Sequence, residues 1–273
     1  MGQNKLLVET SVACKVGTWD LPESEWDAVA QYLSASFDFV VSPLTFIEIL
    51  NSIARGGEQF FVSKLKRLAA LSPMDPLNPT FLEMPGQFVL REVLGGASAV
   101  ETYKPWQMAE AMTTVLHHKS VSPELRAWLD EIQSNHQSGT ANYVSSHDEM
   151  RRVGQIVPDR ERWLRAKMRH LGILLLTAEE VQKLGVALDA AYRYAAWIRQ
   201  ELKNRYYQPS KRVTAWIDYQ QLFYLCDPAI HILYVDTDFT LRTEGSSQQS
   251  RLLKNVWSGS LKTSSPTIQA GAY

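Results

Sequence analysis

Cysteine is scarce in this chain: Cys14 and Cys226 are the two in 273 residues, too few for a disulfide framework. That leaves a reducing cytoplasm as the expected compartment, beside a chance pair in a secreted protein. Long apolar runs are missing as well. No stretch of about 18 residues is apolar enough to span a bilayer, and the strand expected from Lys5 leaves no room for a signal peptide. Zinc-type spacing is absent, because the histidines are scattered and the adjacent His117 and His118 point to different faces of any helix. No glycine-rich loop precedes a Lys and a Ser or Thr, which disfavours a nucleotide triphosphatase. No serine carries the flanking glycines of a nucleophile elbow. Net charge is −1, so any nucleic-acid binding must come from local clustering rather than from the overall field.

What is present is an ordinary globular composition, 45 % hydrophobic and 21 % charged, in a chain long enough for one elaborated domain or two small ones. Its most informative feature is the placement of acids at the ends of apolar runs. Leu6-Leu7-Val8 reads as a brief strand ending in Glu9, Thr10 and Ser11. Phe39-Val40-Val41 reads as a strand that turns at Ser42-Pro43 into a helix carrying Glu48; Ser42 suits the N-cap and Pro43 the first helical position. Glu48 sits among apolar neighbours, so its carboxylate must be paired or bind a cation. Later, Ile217 to Leu225 reads as a helix opened by Asp218, and after a turn at Asp227-Pro228 the run Ile230 to Val235 reads as a buried strand delivering Asp236 and Asp238. Acids at the carboxyl ends of strands are where open parallel sheets put chemistry. A capping Asp followed by an Asp-rich turn is the bland alternative for the last of these.

Between these segments the pattern is helical. Glu23 to Phe37 carries Trp26, Val29, Ala30 and Leu33 at helical spacing. Gly56-Gly57 separates the Glu48 helix from a helix over Glu58 to Leu71, and the prolines of 73–79 mark a loop. Thr177 and Glu180 form a capping box that opens a long helix towards Arg205.

The order and setting of the acids resemble the PIN domain family of metal-dependent nucleases: an acid after the first strand (Glu9), one in the helix after the second (Glu48), one opening a late helix (Asp218), and one past the next strand (Asp238). Asp238-Phe239-Thr240-Leu241 is similar to the family's Asp-x-x-Leu ending. The resemblance implies an α/β three-layer sandwich with a central, mostly parallel sheet. Its PIN-like core would span residues 1–75 and 206–257, with a helical insertion at 76–205 and a disordered tail at 258–273. It also implies a phosphodiester hydrolase that uses Mg2+ or Mn2+, with Glu9, Glu48, Asp218, Asp236 and Asp238 as ligands and Thr10, Thr237 and Thr240 supporting them. Clustered carboxylates repel one another, and a hard divalent cation relieves that conflict. One departure stands out: the family's first acid is Asp, and Glu9 displaces its carboxylate by about 1.5 Å.

The expected substrate is RNA, with DNA as the alternative. Arg151, Arg152, Arg162, Arg165, Arg169, Lys211 and Arg212 crowd the segment upstream of Asp218, interleaved with Trp163, Tyr192, Tyr194, Trp197, Tyr206 and Tyr207 as stacking candidates. A solvated helix face with its aromatics in the core is the competing reading of each residue. An antitoxin or defence partner and a homodimer are further expected partners, and a membrane is not. Glu9 keeps open a second reading, a catalytically weakened PIN-like nucleic-acid-binding or scaffold protein. The run Asp236 to Thr240 also resembles the nucleophile loop of haloacid-dehalogenase-type phosphatases, but that loop belongs on a first strand, and 35 residues after Asp238 are too few to complete the sheet.

Overall fold

The computed structural model describes residues 4–15, 22–51, 53–70, 80–96, 105–153, 159–204, 206–211, 214–235, 239–255 and 268–270. Apolar Leu6, Leu7 and Val8 fill β1 (Asn4–Val8), which leads into a short α1 (Thr10–Lys15). Next come α2 (Glu23–Ser34), β2 (Phe37–Val40) and α3 (Pro43–Leu50). Ser42 Oγ accepts the Leu44 amide at 3.1 Å and Pro43 takes the first turn, so α3 starts where its cap chemistry places it. α4 (Ile53–Ala70) is interrupted at Gly57, whose φ of 76° favours glycine.

Further helices follow: α5 (Pro85–Leu94), α6 (Pro105–His118), the long α7 (Pro123–Val153), α8 (Arg160–His170), α9 (Ala178–Ala187) and α10 (Asp189–Glu201). The capping box of Thr177 and Glu180 opens α9. The helix does not run unbroken towards Arg205. Leu188 turns out of helical geometry (φ −112°, ψ 23°) and is fully buried. Gln248 seals the break, donating to Ala187 O at 2.6 Å and accepting from Ala190 N at 2.9 Å. The backbone groups freed there thus have partners.

The chain closes with α11 (Thr214–Gln221), a buried 3-10 turn over Leu222–Cys226, β3 (Ile230–Tyr234), α12 (Phe239–Arg242), β4 (Leu252–Asn255) and β5 (Ile268–Ala270). Asp218 is the fifth residue of α11 and does not open it. Ala215 and Ile217 are buried, and packing them carries the helix back a turn ahead of the acid.

The sheet order is β2-β1-β3-β4-β5. The first four strands are parallel and β5 pairs antiparallel at the edge, so part of the tail expected to be disordered extends the sheet. Leu7 lies opposite Val40 on one side and Ile232 on the other. Strand residues alternate between two cores, as a two-sided sheet requires. Leu6, Val8, Phe39 and Leu233 join α1 to α4, α6 and α7 on one face; Leu7, Val40, Ile232 and Tyr234 join α5 and α8 to α11 on the other. The fold is therefore α/β, with helical layers on both faces of a mainly parallel sheet. The helices of the segment expected as an insertion supply both layers. No helix among the described residues is long and apolar enough to cross a membrane.

From β1 the chain passes to β2 on one side and later returns to β3 on the other. The order of the strands reverses between β1 and β3, so the crevice at their carboxyl ends is a topological switch point.

Candidate functional site

Glu9 stands at that point. Its amide donates to Leu233 O of β3 at 2.9 Å and its carbonyl accepts from Val12 and Ala13, so the residue is pinned between β1, β3 and α1. Its Oε2 accepts the Ser11 amide at 2.8 Å and also the Ser11 hydroxyl. The carboxylate thus acts as the cap of α1. Ser11 in turn receives the Val235 amide at 3.3 Å, tying the exit of β3 to the same spot. Glu9 is 3 % exposed.

Glu48 comes to the site on α3, where Thr10 donates its hydroxyl to Glu48 Oε2. Burial, then the Glu9 charge, hold the Glu48 carboxyl well above the usual carboxylate range; Asp218 adds to the effect, against the opposing pull of Thr10 and Lys64. Lys64 also lies 3.6 Å from Cys14 Sγ, and burial raises the Cys14 thiol.

Asp218, 8 % exposed, completes the group from α11. Burial and then Glu9 push it up to about 7 from its ordinary 3.8, in spite of Arg242 and Tyr194, which favour the charged form. Arg242 Nη1 lies 3.6 Å from Asp218 Oδ2 and donates to the Tyr194 hydroxyl at 2.5 Å, which donates to Asp218 at 3.3 Å. The Arg242 guanidinium is also 4.6 Å from the Trp197 ring, within cation–π range. Its Nε finds no acceptor.

Three acids from distant parts of the sequence therefore act on one another across the carboxyl end of β1. Such a group can hold shared protons, an internal cation or an external one. Among the described residues no three His, Cys, Asp or Glu side chains form a ready metal-binding group. Asp236, Thr237 and Asp238 lie outside the described residues, as does Arg212. Thr240, expected beside the acids, exchanges a hydrogen bond with Tyr234 OH.

The basic segment divides. Arg151 binds the Leu202 and Tyr207 carbonyls, Arg152 pairs with Glu149 at 2.7 Å, and Arg165 with Glu161 at 2.8 Å. Arg160 and Arg193 clamp the buried Asp189. Arg162, Arg169 and Lys211 are exposed and make no ion pair among the described residues. Trp163, Tyr194 and Tyr207 are buried, so their rings pack rather than stack on bases. Tyr206 is 74 % exposed and with Lys211 lines a cleft of about 480 Å³. The sequence left Arg242 unassigned and gave Tyr194 a different role, as a stacking candidate. Arg242 lies four positions after Asp238 in the sequence, where an arginine reads as an ordinary surface residue.

No protein-family model, no curated protein and no solved structure matches this chain.

Proposed function

We propose that the chain is a PIN-like, Mg2+- or Mn2+-dependent nuclease with RNA as its preferred substrate. The observation that carries this reading is the elevation of the Glu48 and Asp218 carboxyls by burial and then by the shared neighbour Glu9, at the switch point of a mainly parallel sheet. The donor chemistry fits a hard cation: carboxylate oxygens gathered where Arg242 and Lys64 do not bring Asp218 and Glu48 back to the ordinary carboxylate range. Glu9, Glu48 and Asp218 would hold it, joined by Asp236 and Asp238. When bound, a divalent ion there supplies Lewis acidity towards a phosphodiester. The chain's own groups do the positioning. Thr10 orients Glu48, Ser11 and the first turn of α1 fix Glu9, and Tyr194 and Arg242 hold Asp218. Arg162, Arg169, Lys211 and Tyr206 supply exposed charge and one exposed ring for a nucleic-acid strand.

One observation favours a second reading, a PIN-like binding or scaffold protein. Arg242 already sits as counter-ion to Asp218, the place a cation would take.

Incubating the purified chain with labelled single-stranded RNA and DNA, in Mg2+, Mn2+ or EDTA, decides between the two. Metal-dependent cleavage, lost in E48Q, is the expected result. Binding in EDTA with no cleavage under any condition selects the scaffold reading; neither binding nor cleavage rejects both.

A further inference from the structure

A second cluster of ionisable groups lies away from the acids, where α7, α8, α10 and α11 meet. Lys167 Nζ on α8 stands 5.1 Å from the centre of the Tyr219 ring of α11, and Trp163, one turn earlier, packs on the same ring at 6.4 Å. His147 on α7 has Nδ1 2.7 Å from the Tyr143 carbonyl oxygen. A carbonyl only accepts, so Nδ1 carries a proton and Nε2 is the ring atom left for another partner. Arg199 on α10 acts electrostatically on both Lys167 and His147, and Arg162 acts on Arg199.

This gathering has cations and almost no counter-charge. Asp148, exposed, is the one carboxylate that acts on any of them, and it acts on His147 alone. Neither Lys167 nor Arg199 has a hydrogen bond or ion pair to an acceptor among the described residues. Burial, then Arg199, lowers Lys167 to about 8; burial lowers His147 and Arg199 as well. The second, independent feature is Tyr219. It is 6 % exposed; the Trp163 indole N–H is directed at its hydroxyl oxygen, and the hydroxyl's own proton finds no acceptor. Its neighbours are the same Lys167 and Arg199.

We propose that Lys167, Arg199 and His147, with the Tyr219 hydroxyl as neutral donor, form a binding site for a phosphate group. A phosphate offers several acceptor oxygens at once, and it matches the planar fork of an arginine better than a point charge does. It relieves the repulsion among the cations and gives the Tyr219 proton its acceptor. The site is separate from the acids, although Tyr219 follows Asp218 in sequence: successive helical residues diverge by about 100°. Tyr194 stands between the two, its ring 6.3 Å from that of Tyr219 and its hydroxyl on Asp218. The proposal goes beyond the nuclease reading and does not require it.

The test is run in EDTA, so that cleavage plays no part. Melting of the wild type in 20 mM sodium phosphate is compared with melting in chloride of equal ionic strength, and binding of a labelled single-stranded RNA is followed with phosphate as competitor. Phosphate should raise the Tm by about 2–4 °C over chloride by mass action on the folded state. K167M and R199M should lose the rise, and K167M should itself melt higher in chloride because a buried like charge has gone. Y219F, which keeps every charge and nearly the same shape, should retain its chloride Tm and show a smaller rise. E48Q should keep the whole rise, so a failed nuclease reading leaves this result standing. Competition between phosphate and RNA identifies the natural ligand as backbone phosphate; a rise without competition identifies a small phosphorylated ligand. No phosphate-specific rise in the wild type, or an equal rise in K167M, R199M and Y219F, overturns the proposal.

Discussion

Replacing Asp218 by asparagine should change how stability depends on pH in a direction opposite to that of most acids. A carboxyl raised in the folded state binds its proton more tightly there than in the unfolded chain. Its favourable contribution is complete below the unfolded value and is lost as pH climbs through the folded one. For Asp218 that window runs from 3.8 to about 7. Linkage over this interval gives a loss of about 2.3 kcal/mol between pH 5 and pH 7, flattening above. Three histidines work the other way: burial lowers His136, His147 and His231, so their contributions improve as pH rises towards 6.5. They are common to both proteins and cancel in the difference. Asparagine leaves the permanently charged Arg242 buried without its partner, a cost that does not vary with pH and shifts the curve without tilting it. The assay is urea unfolding of wild type and D218N in EDTA at half-unit steps from pH 5 to 8. The stability of the wild type relative to D218N should fall by about 2.5 kcal/mol across the range. A flat or rising difference would mean that Asp218 is ionised at pH 5, and the convergence of the three acids would be refuted with it.

Two further outcomes follow from the same geometry. R242M removes the counter-ion of a buried carboxyl and should cost about 2–4 kcal/mol at pH 7.5 in urea melts; the loss should shrink at pH 5, where Asp218 is neutral, and a pH-independent loss would show that Arg242 contributes packing alone. At pH 7.5, 10 mM MgCl2 or MnCl2 should raise the wild-type Tm by about 3–6 °C, and E48Q should lose most of that rise; an equal rise in E48Q would place the cation elsewhere.

The strands and helix starts that bear on the site were legible because their signals are local. Leu6-Leu7-Val8 is too short and apolar to be anything but a buried strand between polar ends, and Ser42-Pro43 couples a cap to a fixed φ, so α3 could begin nowhere else. The Gly57 break and the Thr177–Glu180 box are of the same kind. The readings that needed correction depended on contacts remote in sequence. Thr177 opens a helix, but its far end is set by Leu188 turning into the core and by Gln248, on a loop about 60 positions later, bonding both sides of the break. The start of α11 is decided by the burial of Ala215 and Ile217 rather than by the charge preference of Asp218.

Glu9, Glu48 and Asp218 were singled out by their order along the chain, but their electrostatic state was not legible there. A row of carboxylates suggests uncompensated negative charge and hence a metal. The fold complicates that inference by inserting Arg242 beside Asp218 and bracing it between Tyr194 and Trp197. The cation so placed is insufficient: with Arg242 only 3.6 Å away, Asp218 still rises to about 7, because burial and Glu9 outweigh it. Glu48 has no arginine at all and relies on the Thr10 hydroxyl and on Lys64. Even with Arg242 and Lys64 set against three buried or half-buried carboxyls, Glu48 and Asp218 stay raised, and the unmatched charge is left to protons or to a divalent ion. Under the proposed function the two would compete for the same oxygens at neutral pH. Arg242 therefore weakens the charge at Asp218 without removing it, and under the proposed function the strength of its hold on Asp218 would set how readily a divalent ion displaces the proton.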